Sequence, residues 1–332
     1  MDKGISLLWA LRSKCNFNCK YCYLSFPKEE NPVKDRVELV EKEDLTLDEM
    51  LEFVSKFREN DINRVFIAGA EPLSWNKTLQ VVQRIKEVGC EVVLCTNGYA
   101  LKDKTLCEKV IRLNIDAISI SLDSYDYKYN DEYREYPGGN GWQIVVDAIK
   151  NLIRERDQKK GKTQIGIYSV ITKLNISHLK STYDFVSKVG ADYYVFQPIF
   201  LNQSSDLYDK LFIKDEYVDM FKKQVEELYK CDKGVLLPDK NYVKLLFENK
   251  ENKVIKECFA GNDLFFIRPN GIINACPSGK CIKGAKKINT VKDNLVEIFK
   301  EKKLHQKNCP YFSSDCVNMW QLMAFDNIIN KC

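Results

Sequence analysis

The sequence predicts an α/β fold built from β/α repeats, and three observations predict it. Short apolar, β-prone segments alternate with amphipathic helical ones from the start of the chain. The strand segments are apolar almost throughout rather than alternating, as expected of parallel strands covered on both faces by crossover helices. The 332 residues suffice for one large α/β domain and a smaller one. Six such units are fewer than the eight of a closed barrel, so a partial (β/α)6 barrel or a doubly wound sheet fits. In either, ligands sit at the C-terminal ends of the strands.

The elements follow in order. "ISLLWALR" (5–12) reads as the first strand. In "LTLDEMLEFVSKFREN" (45–60), Thr46 and Glu49 form a capping box, and Leu47, Met50, Leu51, Phe53, Val54 and Phe57 share one face. "RVFIAGA" (64–70) is a buried strand, and "NKTLQVVQRIKEVG" (76–89) a helix stopped by Gly89. Strand 91–98, helix 103–114, strand 116–123, helix 141–160, strand 163–172, helix 175–190 and strand 191–198 complete the repeats. Residues 207–231 read as one or two amphipathic helices. A polar stretch near 235–255 marks the boundary between a barrel unit, 1–235, and a C-terminal unit, 250–332. There "FFIRPNGIINAC" reads as a hairpin turning at "PNG".

Composition excludes several classes. Hydrophobic residues make up 45% and charged residues 30%, which are globular proportions. The net charge of +4 is small and dispersed, and argues against a nucleic-acid partner. There is no secretory signal and no apolar run of membrane-spanning length. A cytoplasmic, membrane-free protein is expected. In a reducing compartment the 13 cysteines point to metal or chemistry rather than disulfides.

The first cysteine group follows strand one directly: "KCNFNCKYCYL", Cys15-x3-Cys19-x2-Cys22. Three thiolates on one loop can hold three irons of a cubane and leave the fourth open for a ligand. This motif, with Tyr21 in its aromatic slot and a six-fold β/α pattern behind it, resembles the radical S-adenosylmethionine (SAM) superfamily, whose signature is C-x3-C-x-aromatic-C. The resemblance implies a partial barrel, a SAM-binding 4Fe-4S cluster on Cys15, Cys19 and Cys22, and SAM as second cofactor. Reductive cleavage of SAM would give a 5′-deoxyadenosyl radical that abstracts a substrate hydrogen atom. The protein's part is placement and exclusion of water.

Further residues carry the resemblance around the barrel. Gly69-Ala70-Glu71-Pro72 matches the family's Gly-Gly-Glu-Pro, which contacts the amino group of SAM, except that Ala70 replaces the second glycine. Thr96-Asn97-Gly98 matches the end of strand three. Ser119, Ser121 and Asp123 resemble the polar residues near the ribose and carboxylate of SAM. The stretch Arg134 to Gly141 resembles the arginine-to-glycine segment of relatives, and Gln197-Pro198 ends strand six.

A second cysteine group lies at Cys258, Cys276, Cys309 and Cys316. It resembles the shorter, twitch form of the SPASM region, a small α+β domain with one auxiliary 4Fe-4S cluster. Four closed thiolates suit zinc as well as iron–sulfur, and Cys281 could replace Cys309 or Cys316. Cys281 and Cys332 are the other cysteines of the region, and Cys281 is the candidate hydrogen-atom donor by analogy with related epimerases. Cys90, Cys95 and Cys107 read as buried small hydrophobes, Cys231 as incidental, and His178 and His305 as neither ligand nor base. The resemblance implies an oxidation or an epimerisation, with elimination or rearrangement also open, on a small carbohydrate-like molecule or a peptide, with a flavodoxin- or ferredoxin-type electron donor; the alternatives are a maturase of a ribosomally made peptide, by crosslink or epimerisation, and a non-catalytic iron–sulfur redox or sensor protein. The chain reaches its first cysteine at position 15, without the leader-binding domain of many peptide-modifying relatives, which favours a small substrate or a short peptide.

Overall fold

The computed structural model describes residues 4–22, 44–199, 205–238, 260–275 and 289–300, with single residues 201, 203, 242, 247 and 277. Six strands, β1 (Ile5–Arg12), β2 (Ile62–Gly69), β3 (Glu91–Thr96), β4 (Ala117–Ser121), β5 (Gln164–Ile171) and β6 (Tyr193–Pro198), lie side by side in chain order, each parallel to the next. A doubly wound sheet would reverse its strand order; this one does not.

The sheet curls. Phe66, Val93, Ala117, Tyr193, Val195 and Leu264 pack into one inner cluster although they come from strands far apart in the sheet. Gly166 leaves room for the ring of Tyr193, its partner on the neighbouring strand, because a Cβ there would fall 2.1 Å from it. Over that bare position Tyr193 Oη reaches Ser119 Oγ at 2.7 Å. The outer face carries the helices: α1 (Leu47–Ser55), α2 (Thr78–Glu87), α3 (Lys104–Arg112), α4 (Tyr127–Tyr133), α5 (Gly141–Lys159) and α6 (Leu179–Val189). The apolar stripes of all but α4 meet the outward residues of the strands in the main core, while Tyr129 and Tyr133 of α4 pack in a separate cluster with Tyr21. Trp9 of β1, fully buried, meets Phe53 of α1 edge-on with centroids 5.3 Å apart. The fold is thus a partial barrel, as the sequence predicts.

Local signals act as expected. The Thr46 hydroxyl accepts from Glu49 N while the Glu49 carboxylate accepts from Thr46 N, the predicted capping box. Gly190 closes α6 in the left-handed region, at φ +83°. The differences are also local. The helix expected over 45–60 ends at Ser55, and a 3₁₀ turn, Arg58–Asn60, leads into Asp61 at φ +57°. Residues 207–231 form two helices, α7 (Tyr208–Leu211) and α8 (Asp215–Cys231). Helix α4 was not predicted; its sequence, "YKYNDEY", lacks an aliphatic stripe and is started by Asp126, whose side chain accepts from Lys128 N.

Beyond β1 the sheet continues. Strand β7 (Leu264–Ile267) pairs parallel with β1, and β8 (Ile272–Asn274) and β9 (Asn289–Thr290) follow antiparallel. The β7–β8 hairpin turns where "PNG" predicts: Gly271 N bonds Arg268 O at 2.9 Å, and Gly271 has φ +83°. The described strands β7, β8 and β9 therefore join the barrel's own sheet; among the described residues a helix, α9 (Leu295–Lys300), follows them.

Candidate active site

The cysteine loop leaves the C-terminal end of β1 and is held there by its neighbours' backbones. Ala70 N donates to Arg12 O at 3.2 Å and Glu71 N to Lys14 O at 3.3 Å, so the turn after β2 grips the start of the loop. Further along, Asn18 N donates to Glu135 O and Lys20 N to Tyr133 O, which ties the loop to the end of α4. Tyr21 is the apolar anchor: it is buried with Tyr129, Tyr133, Ile199, Leu201 and Leu211.

Gly69 has to be glycine. Its φ is +103°, and a Cβ would lie 2.9 Å from the backbone of Ala10. Ala70, which departs from the family pattern, needs no such freedom. The positive-φ non-glycine residues among those described are Asp61, Asn114, Asn140 and Lys160, and Ala70 is not one of them. Pro72 opens a 3₁₀ turn, and its carbonyl accepts from Thr78 Oγ1 at 2.5 Å.

Glu71 is 1% exposed, and both its carboxylate oxygens are used by the chain. Oε1 accepts from Leu73 N at 2.9 Å and Thr96 Oγ1 at 2.7 Å; Oε2 accepts from Asn97 N at 2.6 Å. Burial pushes its pKa up against these donors. The resemblance puts this acid near the amino group of SAM; its bonds here make it a brace between the turn after β2 and the end of β3. Asn97, held by that brace, sends Nδ2 to Asn16 Oδ1 at 2.7 Å and to within 3.8 Å of Cys15 Sγ.

Asp123 and Arg134 form a buried pair beside the thiols. Asp123 Oδ1 accepts from Val170 N at 2.9 Å and lies 3.7 Å from an Arg134 guanidinium nitrogen. Its Oδ2 is buried with no hydrogen-bond partner. Burial raises the Asp123 pKa, with Arg134 opposing. Burial works against the Arg134 charge, but Asp123, then Cys19 and Cys15, outweigh it, so its pKa rises. This arginine is the functional residue that sequence reasoning named only as the start of a stretch. The signal was there: it is the first arginine after the acid-capped turn that follows β4.

Cys15 is exposed and Cys19 and Cys22 are half-buried. Burial raises Cys15 and pushes Cys19 up to about 12, with Arg134 pulling Cys19 down and Cys22 pushing it up. The thiols sense one another electrostatically. Among the described residues, however, no three His, Cys, Asp or Glu side chains are gathered tightly enough for a single metal ion. Ligands of one zinc ion sit about 2.3 Å from a common point, whereas a cubane takes each thiolate on a different iron. The donor set of three thiols, the arginine beside them and the open acceptor Oδ2 of Asp123 suit an iron–sulfur cube with a chelating ligand in their chemistry.

The other predicted residues fall into two layers. Ser119, buried, shares a hydrogen bond with the Tyr193 hydroxyl inside the barrel. Ser121 is half-buried at the end of β4, beside Tyr168 of β5, and Tyr168 Oη donates to Gln197 Oε1 at 2.5 Å. Cys90 and Cys107 are buried and donate to backbone carbonyls, as packing residues. Cys95 differs: it lies on the inner face of the barrel, packed against the inner cluster, with burial raising its pKa to about 12. Cys258, Cys276, Cys281, Cys309, Cys316 and Cys332 lie outside the described residues. No described helix is long and apolar enough to cross a membrane.

Comparison with known proteins agrees with this geometry. The chain is 30% identical over 180 residues to a probable GTP 3′,8-cyclase of Sulfurisphaera tokodaii, which covers 54% of this chain and 50% of that protein. It is 24% identical over 191 residues to the AdoMet-dependent heme synthase of Methanosarcina barkeri, covering 57% and 49%. It thus spans about half the length of these curated relatives. Among solved structures, native anSMEcpe with bound AdoMet superposes with a TM-score of 0.64 at 17% identity, over 93% of this chain and 82% of that one. SuiB of Streptococcus suis superposes with a TM-score of 0.64 at 15% identity, over 91% and 66%. Residues 11–186, from the end of β1 into α6 and including all three loop cysteines, match the family model of the Radical SAM superfamily. The protein belongs to that superfamily, whose members carry a 4Fe-4S cluster and use SAM.

Proposed function

We propose that this protein reductively cleaves SAM and directs the resulting radical to a substrate hydrogen atom, with oxidation or epimerisation as the outcome. The observation that carries this reading is the three-thiol loop at the end of β1, with Asn97 against Cys15 and the Asp123–Arg134 pair behind it. Cluster and SAM, when bound on Cys15, Cys19 and Cys22, supply a 5′-deoxyadenosyl radical by one-electron reduction of the sulfonium. The chain's own residues do the rest. Arg134 offsets the charge of the thiolates, and Asn97 orients the loop. The backbone of Gly69, Ala70 and Pro72 and the side chains of Ser121, Asp123 and Gln197, the last fixed by Tyr168, would hold SAM. The barrel excludes water around them.

The substrate is a peptide or a small carbohydrate-like molecule. The peptide is supported by two of the structural neighbours, SuiB bound to precursor peptide SuiA and anSMEcpe bound to AdoMet and the Kp18Cys peptide. An auxiliary 4Fe-4S cluster on Cys258, Cys276, Cys309 and Cys316, in a C-terminal unit over 250–332, would take the substrate electron in an oxidation. Cys281 would return a hydrogen atom in an epimerisation. A flavodoxin- or ferredoxin-type protein would supply the reducing electron.

The test is anaerobic incubation of the reconstituted, dithionite-reduced protein with SAM. Formation of 5′-deoxyadenosine well above a Cys15→Ala control supports the reading; equal amounts from both proteins overturn it. Iron near eight per chain rather than four would support the auxiliary cluster, and zinc in its place would refute it. Loss of solvent deuterium incorporation in Cys281→Ala would favour epimerisation.

A further inference from the structure

The end of α4 is stitched to the cysteine loop on both sides of the middle thiol. Asn18 N donates to Glu135 O at 2.8 Å and Lys20 N to Tyr133 O at 3.0 Å. The Asn18 side chain adds a bond from Nδ2 to Glu135 Oε2 at 3.2 Å. The residues flanking Cys19 are thus bonded to the residues flanking Arg134, and the backbone sets Cys19 and Arg134 opposite each other. Phe17, buried in the same loop, has the Arg134 Cζ 5.8 Å from its ring centroid.

The charge delivered there is a buried one. Among the described residues the buried charged side chains are Arg64, Glu71, Asp123 and Arg134. Arg64 lies in the N-terminal half of β2 and pairs with Glu91, the first residue of β3. Arg134 is therefore the buried cation at the thiol end of the barrel. Arg12, half-buried at the start of the loop, is paired with Asp44 at 3.0 Å, and Lys20 is exposed. Water and salt screen an exposed charge strongly and a buried one weakly. Burial raises the pKa of Cys19; among the charges acting on that thiol, Arg134, which pulls it down, comes ahead of Cys22 and Asp123, which push it up. At the loop the cation outweighs its own partner.

The potential of an iron–sulfur cluster follows the charge, hydrogen bonds and solvent around it. A reduced cluster carries one more negative charge than an oxidised one, so a fixed cation stabilises the reduced form more. We propose that Arg134, set opposite Cys19 by the bonds of residues 18 and 20 and shielded from water, raises the reduction potential of the cluster held by this loop, with Asp123 moderating the effect. This rests on the reading that the Cys15–Cys22 loop holds a reducible 4Fe-4S cluster. The step is the transfer of one electron from an external one-electron reductant, dithionite in the test, and no bond is made or broken.

The experiment is an anaerobic redox titration of the reconstituted protein with mediators and without SAM. The midpoint is read from the electron paramagnetic resonance signal of the reduced cluster that Cys15→Ala lacks. Arg134→Gln should make that cluster roughly tenfold harder to reduce, a midpoint about 59 mV lower for one electron. Arg134→Lys keeps the charge and should stay within about threefold of wild type. Asp123→Asn removes the opposing charge and should move the midpoint the other way. Opposite shifts separate an electrostatic role from a structural one, because breaking the ion pair from either side loosens the same loop. An unchanged midpoint in Arg134→Gln, a fall of equal size in Arg134→Lys, or a fall in Asp123→Asn would overturn the proposal while the Cys15-dependent signal still upholds the cluster. If Arg134→Gln assembles no cluster, the sign of the Asp123→Asn shift decides. A wild type without the Cys15-dependent signal would overturn the underlying reading together with the proposal.

Discussion

Asp123 and Arg134 meet at 3.7 Å with side chains 0% and 9% exposed, a buried ion pair joining the residues after β4 to the end of α4. Removing one partner leaves the other charge uncompensated. Asp123→Asn should cost roughly 3–5 kcal/mol of stability. It should also lower SAM affinity more than iron content, because the thiols are untouched. Denaturant unfolding, iron analysis and SAM titration of the same sample check this; wild-type SAM affinity in the variant would refute it.

Glu71 accepts three bonds that align the turn after β2 with the end of β3. Glu71→Gln replaces one acceptor oxygen by a donor amide, which faces donors at Leu73, Thr96 or Asn97. The variant should lose about 1–3 kcal/mol, and Asn97 should no longer be held against Asn16 and Cys15. A lower midpoint in thermal unfolding together with reduced iron per chain is the expected pair of readings.

The two residues before Glu71 behave oppositely. Gly69→Ala puts a Cβ into the Ala10 backbone at φ +103° and should destabilise by roughly 1–3 kcal/mol. Ala70→Gly restores the family's usual residue but relieves no strain. It should change stability by at most about 1 kcal/mol, in the destabilising direction, and leave SAM cleavage unaltered. Stability and 5′-deoxyadenosine yield of the two variants, measured side by side, check the contrast.

Glu49 links the start of α1 to the segment after β9. Its carboxylate is hydrogen-bonded by Lys292, and then by the N–H and hydroxyl of Thr46, which hold its pKa down to about 2. A depressed acid stabilises the folded chain above its unfolded pKa, and that contribution is lost as pH falls toward the folded value. The stability difference between wild type and Glu49→Gln should therefore be full near pH 6 and shrink between about pH 4 and pH 2. Thr46→Ala should cost about 1 kcal/mol at neutral pH. Denaturant titrations at several pH values give both numbers.

The sequence by itself determined the six β/α units, the capping box at Thr46, the turn at Gly271 and the three-thiol loop. Each of these rests on short-range physics: apolar periodicity, left-handed glycines, and thiol spacing within one loop. It left a partial barrel and a doubly wound sheet open, because strand order depends on which edges pair, and residues within one strand do not encode that. Only the tertiary structure decided it: the six strands pair in chain order without reversal, and residues from distant strands share one inner cluster. The tertiary structure also revealed α4, whose aromatic and polar residues carry no helical stripe until Tyr129 and Tyr133 find Tyr21. Through α4 it brought Arg134 to Asp123 and the thiols, and it turned Glu71 inward as a brace. Those contacts join residues far apart in the chain, and the ion pair forms where burial makes a charge choose a partner.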